Sequence, residues 1–385
     1  MLWINLLHAY QPANSDSYRI EEALHLSYER VIRALEKHHD LKLTINISAC
    51  LVSRIAELNR ADIIKRINKL IDKKQVELTG SAAYHALLPL VKEDEVIYQI
   101  QENEKILKKY FPRAELKGFF LPEMAYSPST ARIIKKMGYH WIILDEISYQ
   151  GKRKIDFNKS YLDKKSGLKV LFRSRFFSSA YPPDKIKNII DSDDVIITAT
   201  DFELYGLRHL DHTAELEKML SNNNLQTKLM SKYIEVFTEP ESVDIRSSNW
   251  ESSEKTLSLK KPFHLWYDRK NKIHLKLWKL ADLACSINKK YKKSENYKWS
   301  RWHLNRGLAS CVFWWASSHD FKENFGPNAW NPDEIERGTN ELIRSIRSLE
   351  ESTSCSEKLK AEDLFIVIKK MVWTRHWTYH FKSKK

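Results

Sequence analysis

Cysteine is sparse in this chain of 385 residues: Cys50, Cys285, Cys311 and Cys355 stand far apart and no C-x-x-C pair occurs. Such spacing supports neither a structural zinc site nor a disulfide framework. Long apolar runs are missing as well. No stretch approaches the roughly 18 apolar residues that a membrane-spanning helix needs. The N-terminal MLWINLLHAYQP is apolar only as far as Leu7 and has no basic leader. It reads as a first β-strand rather than a signal peptide, so a soluble, cytoplasmic protein with no membrane partner is expected. The chain also lacks an arginine-rich groove motif, an internal repeat and any long low-complexity segment. A formal charge of +14 invites a nucleic-acid reading. The lysines, however, are scattered through amphipathic stretches such as 64–74 and 105–109, which is a compositional bias rather than a binding stripe. Nucleic acid is not an expected partner.

What the chain does have is apolar material. A hydrophobic content of 42% with 11% aromatics fills a real core and excludes global disorder. The length suits a barrel of roughly 250 residues plus an appended domain. The 12 Trp and 17 Tyr exceed what a core needs. Flat aromatic faces stack on sugar rings, and simple burial is the alternative for each of them.

Short apolar runs alternate with longer amphipathic stretches through about residue 240. Leu2–Leu7, Leu43–Ile47, Val76–Thr79, Leu116–Leu121, Trp141–Leu144, Val170–Arg173, Val195–Thr200 and Tyr233–Phe237 are the candidate strands. The alternation predicts parallel strands with helical crossovers, and six or more such units favour a closed or nearly closed barrel over a small open sheet. The runs deliver His8, Ser48, Gly80 with Ser81, Glu123, Asp145, Arg173 with Arg175, and Asp201 at their ends. In a β/α barrel all those ends share one face, where active sites are assembled. Polar residues marking strand ends account for any one of these, less well for the series. From about residue 260 the spacing turns helical: Ile273–Ile287, Trp302–Trp315, Pro332–Ser348 and Ala361–Trp373. The polar stretch Glu239–Ser258 reads as the junction, with Trp250 in it either a sugar-stacking face or an anchor of the linker.

Glu123 and Asp201 each follow a hydrophobic run, in GFFLPEMAYSP and IITATDFELYG. Paired carboxylates at strand ends are what cleavage of a glycosidic bond requires. Several segments then resemble glycoside hydrolase family 57, in order along the chain. HAYQP (His8–Pro12) is similar to the family's HxHQP region, and QVELTGSAAYHALLPL (Gln75–Leu90) to its second region. GFFLPEMAY (Gly118–Tyr126) resembles its nucleophile segment and TDFELYG (Thr200–Gly206) its acid/base segment D-x-E-x-x-G. LNRGLASCVFWWAS and WNPDEIERG resemble its helical region.

The resemblance implies an α/β fold, an incomplete TIM barrel of the (β/α)7 type over residues 1–258. A C-terminal helical domain over 259–385 would complete the cleft. It implies a retaining hydrolase or glucanotransferase acting on α-1,4-linked glucan or maltooligosaccharide, with no metal or other cofactor. Glu123 would be the nucleophile and Asp201 the acid/base, the carboxylates about 5–5.5 Å apart. Burial beside Phe202 and Tyr205 and the charge of Glu123 would help to keep Asp201 protonated. His8 would line the substrate site, or be a satisfied core histidine. Gln11 and His85 are candidates for sugar hydroxyls, as is Arg175 beside Arg173. Glu203 would bind sugar or make a structural hydrogen bond. Trp250 and Trp315 would offer stacking faces, or pack. Tyr10 replaces the second histidine of HxHQP, and Phe120 replaces the frequent Trp before P-E. LRHLDH, with His209 and His212, stands where many members carry a GHHH-like stretch. These departures bear on specificity. They also motivate an alternative, a catalytically weak carbohydrate-binding protein on the same fold.

Overall fold

The computed structural model describes residues 1–318 and 329–382. The chain divides into two compact units: Met1–Ala83 with Leu88–Trp250, and Tyr84–Leu87 with Glu251–Lys385. Among the described residues no helix is long and apolar enough to cross a membrane.

The first unit contains the strands β1 Leu2–Ala9, β2 Leu43–Ile47, β3 Val76–Leu78, β4 Gly118–Phe119, β5 Trp141–Asp145, β6 Tyr161–Asp163, β7 Lys169–Arg173, β8 Val195–Asp201, β9 Gln226–Thr227 and β10 Glu241–Val243. Parallel pairing runs β3-β2-β1-β8 on one side and β7-β5-β4 on the other. Two short seams join the sides. Gly80 donates its N–H to the Gly118 carbonyl and accepts from the Phe120 N–H, both at 2.9 Å, so β3 meets β4. Ser174 donates to the Ile197 carbonyl at 2.8 Å, and the Arg173 guanidinium reaches the Ala199 carbonyl at 2.7 Å, so β7 meets β8. The result is a ring of seven strands, the incomplete barrel. β6 adds antiparallel to β7, β10 adds parallel to β6, and β9 pairs with Leu2 and Trp3 at the base of β1.

The period of two along a strand decides what enters the barrel. Ile4 and Leu6 of β1, Trp141 and Ile143 of β5, Leu171 of β7, and Ile197 and Ala199 of β8 form one buried cluster with Phe120, Met230, Tyr233 and Ile234. Two residues further along the same faces stand His8 on β1 and Asp201 on β8, and His8 pairs in register with Asp201. On β2 the inward positions are polar. Thr44 bonds Glu77 at 2.7 Å, and Asn46 bonds Thr79 at 3.0 Å. Leu43, Ile45 and Ile47 point instead into the cluster under the surrounding helices.

One candidate strand is corrected. Tyr233–Phe237 lies across the helix Met230–Glu235 and its end, where Tyr233 and Ile234 join the barrel interior. A short apolar run fits a buried helix turn as well as a strand, and periodicity alone does not separate them. The junction is also more structured than its composition implied. Ile245 bridges to Tyr149 and Ser248 to Tyr126, so the junction as far as Trp250 belongs to the barrel unit. The second unit is helical, built on Lys272–Lys290, Tyr297–Gly307, Ser310–Trp314, Pro332–Arg347 and Cys355–Lys382.

The loop after β8 is held by a helical defect. Ser17–Ala23 and Glu29–Lys37 are joined through a π-helical turn, Leu24–Tyr28. Ser27 of that turn donates to the Phe202 carbonyl at 2.6 Å. Gly206 passes so close, at φ +136°, that a Cβ there would sit 2.1 Å from the Leu26 carbonyl oxygen. Gly206→Ala meets both a backbone clash and a disfavoured φ. It is expected to destabilise the fold by about 2 kcal/mol or more, read as a lowered urea midpoint. An unchanged midpoint would mean that the turn relaxes freely.

Candidate active site

Glu123 sits just beyond β4 in the left-handed region, φ 59° and ψ 16°, and Met124 follows at φ 48°. Two consecutive non-glycine residues there are costly, and such strain persists only where the surroundings over-determine it. Here they do. Met124 donates to the Leu121 carbonyl at 2.7 Å, and the Glu123 carbonyl accepts from the Trp250 N–H at 3.1 Å. The indole Nε1–H of Trp250 donates to Glu123 Oε2 at 3.0 Å, so one residue holds both the backbone and the carboxylate of Glu123.

Trp250 is itself fixed. Arg175 Nη2 donates to its carbonyl at 2.6 Å, and the Arg173 guanidinium lies 5.2 Å from its ring centroid, within cation–π range. Both arginines are anchored on Asp145, which is 1% exposed, through Nε atoms at 2.8 and 2.9 Å. A buried carboxylate at the end of β5 thereby orients two cations at the end of β7.

His8 is enclosed by rings: it stacks on Phe120 at 4.5 Å and meets Trp250 edge-on at 6.1 Å. Its Nδ1 lies 2.7 Å from Asn46 Oδ1, whose amide nitrogen is bound to Thr79. Burial pulls the imidazole below its ordinary range, more than the charge of Asp201 and the Asn46 bond raise it, and Arg208 lowers it further. The uncharged imidazole is thereby favoured, and its Nδ1 faces the Asn46 oxygen.

Asp201 does not stand only among apolar neighbours and a second acid. Its Oδ2 is ion-paired with Arg208 Nη1. Glu203, two residues on, is buried, and its Oε1 accepts from Gln11 Nε2 at 2.9 Å and from the Tyr28 hydroxyl. Burial pushes the Glu203 carboxyl upward, Arg208 opposes this, and the Asp201 charge adds to it. Tyr28 closes the π-helical turn, which turns its hydroxyl toward this carboxyl. Such turns recur at functional sites.

The rim of the ring thus carries the carboxylates of Glu123, Asp145, Asp201 and Glu203, a buried histidine, an indole donor and several cations. A model of Glycosyl hydrolase family 57 matches residues 3–246. The chain belongs to this family. Alpha-amylase 1 of Dictyoglomus thermophilum is 24% identical over 166 residues, 43% of this chain and 24% of that protein. The match thus spans about a quarter of that curated relative's length. The 4-alpha-glucanotransferase of Thermococcus litoralis superposes with a TM-score of 0.72 at 18% identity, covering 91% of this chain and 60% of that one. The family 57 branching enzyme of Pyrococcus horikoshii gives 0.68 at 16% identity, over 97% and 96% of the two chains. At these identities the structural likeness speaks for the fold.

Of the residues singled out in this family 57 sequence, Glu123, Trp250, Arg175 and His8 form one connected group and Glu203 and Gln11 are hydrogen-bonded beside Asp201, which pairs in register with His8. His209 turns elsewhere, stacking on Tyr181 at 4.3 Å with Nε2 3.4 Å from Asp184. His85 and Trp315 belong to the helical unit. There His85 Nδ1 bonds Ser310 Oγ at 2.9 Å, and Trp315 leans on Trp314 at 4.6 Å. Sequence reasoning missed Arg208, Tyr28 and Asn46. For Asn46 a signal existed, since Thr44 and Asn46 put polar residues on the inward face of a buried strand. Among the described residues no group of three or more His, Cys, Asp or Glu side chains could hold a metal ion.

Proposed function

We propose that this protein is a retaining enzyme of α-1,4-linked glucan, hydrolysing or transferring glucosyl units through a covalent intermediate on Glu123. The observation that carries the reading is the strained Glu123 itself, its carboxylate held by the Trp250 indole on the rim that also bears Asp201. In the first step a Glu123 oxygen bonds to the anomeric carbon while the glycosidic C–O bond breaks, and protonated Asp201 gives its proton to the leaving oxygen. In the second step Asp201 takes a proton from water or from a sugar hydroxyl, which displaces Glu123 and restores the carboxylate. His8, whose burial disfavours a charged ring, lines the substrate site. Arg175 and Arg173 serve the site through Trp250, as positioning groups.

The test is product analysis with maltooligosaccharides and amylose. Shortened or redistributed oligosaccharides whose first-formed reducing end has the α configuration by proton NMR are expected. A first-formed β-anomer would overturn the retaining reading. Products longer than the starting chain identify transfer. One observation favours a second reading, a carbohydrate-binding protein of weak activity: Arg208 occupies the carboxylate that must hand over a proton. An inert protein that still binds glucan would decide for that reading.

A further inference from the structure

The turn after β8 brings a cation back to the strand that ends in two acids. Asp201 and Glu203 are two residues apart, and Arg208 is ion-paired with the first while its main-chain N–H donates to the carbonyl of the second at 2.8 Å. The Asp201 and Arg208 side chains are 26% and 27% exposed, so water screens the pair only in part. Glu203 is 1% exposed. Side chains that interact with these carboxylates come from three other places. His8 on β1 is buried, which disfavours its charged form. Gln11 in the loop after β1 is uncharged. Tyr28, from the π-helical turn, has its hydroxyl pushed well up by burial and by the charge of Glu203. Among these groups Arg208 is the one that carries positive charge.

A buried carboxyl beside a second acid resists ionisation, and Glu203 is pushed upward in this way. A guanidinium beside them stabilises the state in which both are ionised, and being always protonated it does so at every working pH. We propose that Arg208 is a positioning residue whose charge sets the proton count of the Asp201–Glu203 pair, so that Asp201 both releases its proton and takes one back during turnover. The inference rests on the reading of Asp201 as acid/base. It assigns to one arginine a role that strand position alone does not provide: keeping a buried second acid from trapping the catalytic proton.

The experiment compares pH profiles of kcat/KM on a maltooligosaccharide for the full chain, Arg208→Gln and Arg208→Lys. With Gln at the position, the basic limb is expected to move to higher pH by about one unit or more. With Lys, which retains the charge, it is expected to stay near the parent. An arginine that merely shaped the turn would lower the rate across the range without moving the limb, and that outcome overturns the proposal. The main chain of residue 208 closes the turn, so both variants retain it. A second readout needs no turnover: carbon-13 NMR of the Asp and Glu carboxyls, assigned with Asp201→Asn and Glu203→Gln. An upward move of the joint titration in Arg208→Gln supports the proposal, and an unmoved one overturns it. A moved titration in a protein that turns over no glucan would leave the electrostatic role standing and remove the enzymatic one.

Discussion

Glu123→Gln is expected to keep the fold and lower kcat on maltooligosaccharides by at least about a thousandfold. The substitution is conservative in every respect but one. Glutamine has the shape of glutamate, and its amide oxygen still accepts the Trp250 Nε1–H that now meets Oε2. The main-chain bond from Trp250 N–H to the residue 123 carbonyl is untouched, so the left-handed backbone at 123 and 124 retains its restraint. What disappears is a carboxylate able to bond to the anomeric carbon, leaving direct attack by water without a covalent relay. The loss therefore falls on kcat, with KM within a fewfold of the parent, because the binding surface is unchanged. Steady-state kinetics beside circular dichroism and a thermal melt measure this. A folded variant retaining a tenth of the parent's turnover would remove Glu123 from the nucleophile's role.

The barrel was legible because its strands are largely buried on both faces and most read as apolar runs. Leu43–Ile47 coincides with β2, and the polar residue ending each run marks the rim. The two- and three-residue strands β6, β9 and β10 leave no periodic trace, since their pairing depends on partners distant in sequence. Trp250 shows why part of the site stayed hidden. Its segment is polar and reads as linker, yet bridges to Tyr126 and Tyr149 draw it to the rim, and its indole reaches a carboxylate 127 positions earlier. Arg208 is a still harder case. Nothing in the spacing of D-F-E-L-Y-G-L-R distinguishes a returning side chain from a solvated one. The return depends on the positive φ of Gly206 and on a π-helical turn that supplies Leu26 and Ser27 from another part of the chain. The departures from the family pattern are connected in the same way: Phe120 stacks on His8 at 4.5 Å, and Tyr10 stacks on it at 6.0 Å.

Asp201→Asn divides the reaction into its two halves. On a maltooligosaccharide the leaving group is a sugar alcohol, which departs only with a proton, so a loss of about a hundredfold to ten-thousandfold in kcat/KM is expected. On α-maltosyl fluoride the leaving group is fluoride, which needs no proton, so formation of the glycosyl–Glu123 ester should fall by less than about tenfold. Its breakdown is another matter, because asparagine cannot take the proton from the incoming water. The ester is then expected to accumulate, seen as a burst of fluoride followed by a slow steady state and as intact protein heavier by the transferred sugar. Asparagine still presents an oxygen to Arg208, so the loop after β8 keeps its contact. The removed charge leaves Arg208 under the influence of the Glu203 carboxyl. That rearrangement perturbs both substrates alike, whereas the loss of an acid acts only on the one that needs a proton. Equal losses on the two substrates, with no ester detected, would deny Asp201 the acid/base role and leave Glu203, already inclined to hold a proton, as the next carboxyl to test.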